Sequence, residues 1–135
     1  MARWLVKSEP AKYSWDDLVR DGRTEWDGVR NPMAQGHLKA MRNGDLVFYY
    51  HSNEGKDIVG IAEVVKESYP DDTDPKGRSL MVDLKAVKPF PTPVTLSAIK
   101  SDGRFATIPL VTNSRLSVQP VPDEAWDAIC KLGGL

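Results

Sequence analysis

The run Leu46-Val47-Phe48-Tyr49-Tyr50-His51 constrains this chain more than any other stretch. It offers no alternating polar face, so as a strand it must be covered on both sides. Ile58 to Lys66 reads as a neighbouring strand, in which Gly60 marks a bulge or a close backbone approach. From Leu80 to Val87 the pattern alternates, with Leu80, Val82, Leu84 and Ala86 opposite Met81, Asp83, Lys85 and Val87. Arg3 to Lys7 predicts a first strand ending at Ser8-Glu9-Pro10, and Leu116 to Pro120 a last one.

Helices are expected early and late. Ser14 is an N-cap with Asp16 and Asp17 in the first turn and Trp15, Leu18 and Val19 on one face, ending near Asp21-Gly22. Asn31-Pro32 starts a second helix reaching Arg42, with Met33, His37, Leu38 and Met41 sharing a face and Asn43-Gly44 closing it. Thr95 caps a short helix to Lys100, and Asp123 to Lys131 forms a terminal helix stopped by Gly133-Gly134. Phe90 to Pro93 is expected to break the sheet. The acids between Glu67 and Asp74 are expected in a solvated connection. Short connections between strands, with helices at the periphery, predict an α+β fold: a curved mixed or antiparallel sheet, or a pseudo-barrel, with flanking helices. Its 135 residues, without linker or repeat, predict a single domain over 1–135.

Composition excludes several classes. With 41% hydrophobic and 27% charged residues the chain reads as globular rather than disordered. No apolar run is long enough to span a membrane, and the N-terminus turns polar by Lys7, too early for a signal peptide. A single cysteine, Cys130, precludes an intrachain disulfide and points to a reducing, cytoplasmic setting. It reads as a packing residue, and His37 as a packed or surface one. A net charge of −1 argues against general polyanion binding. Between Gly103 and Pro122, however, Arg104 and Arg115 stand with no Asp or Glu, leaving room for a local positive site. There is no phosphate loop, dinucleotide motif or metal-ligand spacing, so neither cofactor nor metal is expected. His51-Ser52 lacks a nucleophile elbow.

Four polar or aromatic segments remain at predicted strand ends and turns. They contribute Lys7 and Ser8; Trp26, Val29, Arg30 and Asn31; Tyr50, His51 and Ser52; and Arg115 with Ser117. In the second segment Gly28 permits a tight turn, and an indole stands beside a guanidinium. Those groups suit a planar, electron-rich ligand such as a nucleobase. Each residue also has a plainer reading. Trp26 reads equally as core, like Trp4, Trp15 and Trp126. Of Tyr49 and Tyr50, on opposite faces, one is expected in the core and the other at a pocket. His51 reads also as a strand-end cap through a backbone hydrogen bond, Lys7 and Glu9 as a surface pair, and Arg115 as a solvated edge residue.

At these residues the sequence resembles the EVE domain family. The resemblance rests on Trp4-Leu5-Val6-Lys7-Ser8-Glu9-Pro10, Tyr13-Ser14-Trp15-Asp16-Asp17-Leu18, Trp26-Asp27-Gly28-Val29-Arg30-Asn31, Gly44-Asp45, Tyr50-His51-Ser52 and Ser114-Arg115-Leu116-Ser117-Val118. Where relatives often continue the turn with Tyr-Gln-Ala-Arg-like residues, this chain has Pro32-Met33-Ala34-Gln35-Gly36. The resemblance implies a PUA-like fold and, as in related YTH and SRA-type domains, a base held in an aromatic pocket. The expected function is non-enzymatic binding of a modified nucleobase in DNA or RNA, with no membrane partner. A sensor of a free nucleoside-like molecule is the alternative. A hydrolase, with His51 as base near Ser8 or Ser52, is a third.

Overall fold

A computed structural model describes residues 2–135; Met1, part of the single-domain and N-terminal expectations, lies outside the described residues. The aromatic run forms β3 (Leu46–His51), an interior strand of a six-stranded sheet. The other strands are β1 (Arg3–Ser8), β2 (Arg23–Trp26), β4 (Asp57–Pro70), β5 (Leu80–Thr95) and β6 (Val118–Pro120), in the spatial order β2-β5-β4-β3-β1-β6. β1 runs parallel to β3, and every other pairing is antiparallel. The sheet is therefore mixed, and it stays open, with β2 and β6 as edges.

Both faces of β3 are covered, as its composition requires. Val47 and Tyr49 enter a core with Trp4 and Val6 of β1, Trp15 and Leu18 of α1 (Trp15–Asp21), and Ala34 and Leu38 of α2 (Pro32–Ala40). Phe48 and Tyr50 enter a second core. It is closed by Ile99 of α3 (Leu96–Ser101), Phe105 of a 3-10 turn, Leu110 of α4 (Pro109–Thr112), and Trp126 and Ile129 of α5 (Asp123–Leu132).

Local signals explain most element boundaries. Ser14 Oγ accepts from the Asp17 amide at 3.1 Å while the Asp17 carboxylate accepts from the Ser14 amide at 2.9 Å, a reciprocal cap for α1. Gly60 is where the Trp15 ring lies on bare backbone: a β-carbon there would sit 2.6 Å from the indole. A register shift beside Tyr49 and Tyr50 marks the expected bulge.

Five points differ from the expectations. β2 was not anticipated: it is four residues long, yet its Thr24 and Trp26 lie opposite Leu84 and Val82 of β5. α2 ends at Ala40, not Arg42, because Met41 turns out of the helix into the core. Met33 is 57% exposed instead of sharing the buried face, since burial follows the Ala34–Leu38 row about 100° away. The acidic stretch is not a solvated loop, because β4 extends through Pro70 and Asp71 is buried. Finally, β5 does not end at Phe90. Its pairing lapses between Pro89, opposite Gly60, and Val94, opposite Ile58, where three prolines offer no amide to the ladder. The backbone nevertheless stays extended, and Phe90 packs edge-on against Phe48 at 5.6 Å.

Candidate functional site

The curl of the sheet brings its two edges to one cleft of about 1200 Å³. One wall is β2 and the turn that follows it, residues 23–30. The opposite wall is the end of β1 with residues 114, 115 and 117, which lead into β6. Lys12, Tyr13, Ser52 and Asp83 of β5 complete the lining.

The first wall is built on a buried carboxylate. Asp71 Oδ2 accepts from the Gly28 amide at 2.9 Å and from Arg30 Nη1 at 3.0 Å. Its Oδ1 accepts from the Thr73 amide at 2.8 Å and the Thr73 hydroxyl at 2.6 Å. Thr73 Oγ1 in turn accepts from Arg30 Nη2 at 3.0 Å, so guanidinium, hydroxyl and carboxylate close a ring. Burial pushes the Asp71 carboxyl up, but the bonds from Thr73, Gly28 and Arg30 outweigh it and hold the group down at about 2. Gly28 supplies the φ of 77° the turn needs. Gln35 locks the turn from α2, donating to the carbonyls of Val29 at 2.6 Å and Leu80 at 3.0 Å.

The opposite wall is held by main chain. The Lys7 amide donates to Ser117 O at 2.9 Å, and Lys7 Nζ to Ser114 O at 2.8 Å. Burial lowers the Lys7 pKa. Arg115 is exposed and makes no ion pair among the described residues. Elsewhere, Lys12 pairs with Glu9 at 3.6 Å and Arg23 with Asp83 at 2.7 Å. Five cations and four carboxylates line the cleft, so it is close to neutral and unlike a bulk polyanion sink.

Lys7, Ser8, Trp26, Val29, Arg30, Ser52, Arg115 and Ser117 meet in this cleft. Asn31, Tyr50 and His51 do not line it. Asn31 caps α2, its Oδ1 accepting from the Met33 and Ala34 amides at 2.9 and 3.1 Å. Tyr50 is buried in the second core on the far face, so the Trp26–Tyr50 site expected from sequence is not formed. The tyrosine beside Trp26 is Tyr49, edge-on at 5.5 Å. His51 Nε2 accepts from the Trp15 amide at 3.0 Å, which caps the start of α1 rather than a strand end. Burial lowers its pKa, although Asp57 and Asp16 act the other way. The Ser8 hydroxyl donates to Tyr13 O at 2.7 Å, so the Ser8–His51 proton relay is not assembled. Trp26 combines its two readings: it is 8% exposed within the first core, and its remaining surface borders the cleft. Lys7 and Glu9 are not partners, since Lys12 takes Glu9.

The sequence reading missed Lys12, Tyr13, Arg23, Thr24, Asp83 and the support from Asp71. The period of two in Arg23-Thr24-Glu25-Trp26 was the available signal for β2. Nothing local announces that Asp71 folds back over Gly28, 43 positions away.

An open mixed sheet with helices on its faces and a near-neutral polar cleft between its edges defines a small α+β binding-domain class. The EVE domain model matches residues 2–132, and this chain belongs to the EVE domain family. It is 34% identical to human thymocyte nuclear protein 1 over 165 aligned positions, covering 97% of this chain and 73% of that protein. The solution structure of Rpa0253 from Rhodopseudomonas palustris is similar at 57% identity and a TM-score of 0.94, covering 99% of this chain and 94% of that one. The crystal structure of human THYN1 protein in complex with 5-methylcytosine containing DNA is similar at 32% identity and a TM-score of 0.95, with 100% and 99% covered. The family resemblance and the α+β expectation are thus borne out. Among the described residues, no helix is long and apolar enough to cross a membrane.

Proposed function

We propose that this chain, as one domain over 1–135, is a non-enzymatic module that binds a modified nucleobase of DNA or RNA in the cleft between its sheet edges. The observation that carries this reading is convergence. Four remote segments bring an indole border, hydroxyls and cations to one near-neutral cavity. The human relative's complex with 5-methylcytosine containing DNA supports it and favours DNA with a methylated cytosine as first ligand. Near neutrality suits recognition of one base over indiscriminate phosphate binding. The single cysteine fits a reducing, cytoplasmic setting.

Within this reading Trp26 and Val29 border the base, and Ser8, Ser52 and Ser117 offer short hydrogen-bonding groups at its edge. Arg115 meets phosphate. Taking a base out of a duplex costs a few kcal/mol, least from an unpaired strand, so single-stranded DNA is the preferred probe. Fluorescence titration with oligonucleotides carrying cytosine or 5-methylcytosine tests the proposal. Tighter binding of the methylated strand, lost in Trp26→Ala, is expected. Equal affinity for both, unmoved by the substitution, removes it. Saturable binding of free 5-methylcytidine, independent of strand length and salt, replaces it with the free-nucleoside sensor.

A further inference from the structure

Three arginines line the cleft, and their charges stand in different states: Arg23 is paired with Asp83 at 2.7 Å. Arg115 is exposed and unpaired among the described residues. Arg30 is clipped onto Asp71, whose side chain has no exposed surface. Asp71 and Thr73 take the Nη1 and Nη2 end of the guanidinium, and Nη1 also reaches Val29 O at 3.5 Å. Of the five N–H donors in an arginine fork, Nε–H and one on Nη2 keep no partner among the described residues.

We propose that Asp71 is a positioning residue that sets specificity: it withholds the charge of Arg30 from phosphate and leaves the free edge of that fork to read a base. The inference rests on the nucleic-acid reading above. The salt-dependent part of a phosphate contact requires net positive charge, which the buried carboxylate cancels at short range. Two parallel donors on a fixed plane instead match two adjacent acceptors. An unpaired cytosine presents such a pair in O2 and N3. Thymine carries the same methyl group as 5-methylcytosine, but its N3 is a donor, so it loses one of the two bonds. Asp71 remains ionised throughout the neutral range, so the clip does not loosen with ordinary changes of pH. The same carboxylate holds the Gly28 amide, which ties the plane of the fork to the backbone beside Trp26.

The test is anisotropy titration of a labelled single-stranded oligonucleotide at several salt concentrations. The probe position carries 5-methylcytosine in one version and thymine in the other. Arg115→Gln is expected to flatten the log–log salt slope by about 0.7, the loss of one phosphate contact on a single strand. Arg30→Gln leaves the slope unchanged and reduces the preference for methylcytosine over thymine about tenfold. Asp71→Asn frees the guanidinium, steepening the slope by about 0.7 and eroding the same preference. An Arg30→Gln slope that flattens as much as that of Arg115→Gln overturns the inference. That contrast needs no folded Asp71 variant. An Asp71→Asn protein, folded by circular dichroism, with slope and preference intact overturns the inference as well. Wild-type protein that binds neither oligonucleotide defeats the nucleic-acid reading, and the inference with it. Wild-type binding with the wrong slopes defeats the inference alone.

Discussion

The two faces of the sheet use aromatic rings differently. On the far face, Phe48 and Trp126 stack with ring centroids 3.7 Å apart and planes 10° off parallel, and Phe90 meets Phe48 edge-on. On the cleft face, Trp15 and Trp26 both meet Tyr49 edge-on, at 5.6 and 5.5 Å. Polar atoms pin that second arrangement. Tyr49 OH donates to Tyr13 O at 2.7 Å, and Trp4 Nε1 donates to the buried Asp45 at 2.9 Å. Apolar filling tolerates some slippage, whereas hydrogen-bonded rings have one orientation. The face that fixes ring orientation is the one that borders the cleft.

Substitutions should therefore separate stability from recognition. The largest effect is expected from Trp126→Ala, which empties the far-face stack and should cost about 3–5 kcal/mol in denaturant unfolding. Below its melting transition it should bind the methylated oligonucleotide as the wild type does. If affinity falls as well, the two faces are coupled and the distinction fails. Gly60→Ala should cost about 1–3 kcal/mol, because the added methyl must displace the Trp15 ring. Since Trp15 touches Tyr49 and Tyr49 touches Trp26, this variant should also weaken ligand binding, unlike the far-face one.

A pH titration sharpens the contrast further. Burial holds His51 below its ordinary value near 6.5, so the unfolded chain binds more protons in that window. Stability contributed by the neutral ring is complete above about 6.5 and is lost as pH falls toward the folded value. Melting temperature should drop over this range, and His51→Gln should flatten the drop. His37, also lowered by burial, leaves a residual slope in that variant. Loss from Asp71 belongs to a separate, more acidic window, between its ordinary carboxylate range and about 2. The smallest effect is expected at the Lys12–Glu9 pair on the cleft rim, where Glu9→Gln should change stability by less than about 1 kcal/mol.

What could be read in the sequence follows from range. Caps at Ser14 and Asn31, the doubly covered β3 and the tight approach at Gly60 depend on neighbours or on composition, and each was legible. Tyr50 was misplaced because alternation assigns a face without saying which face borders a cleft, whereas His51 shares the face of Tyr49 but is taken up by the Trp15 amide. Asp71 looked like one more acid in an acidic run. Its role depends on chain reversal between β4 and β5, which no short pattern encodes. β2 was lost for a related reason: four residues carry too little periodicity until β5 lies beside them.

The first strand lies between β3 and β6, so its six residues are sandwiched by segments about forty and more than a hundred positions downstream. During synthesis the parallel partner emerges early, but the antiparallel one only more than a hundred residues after β1. Until then Trp4, Leu5 and Val6 present an open hydrogen-bonding border, the kind of edge that recruits stray strands. Completion of this sheet is thus timed by β6, and nascent chains stalled before residue 118 should be the ones that cling to chaperones.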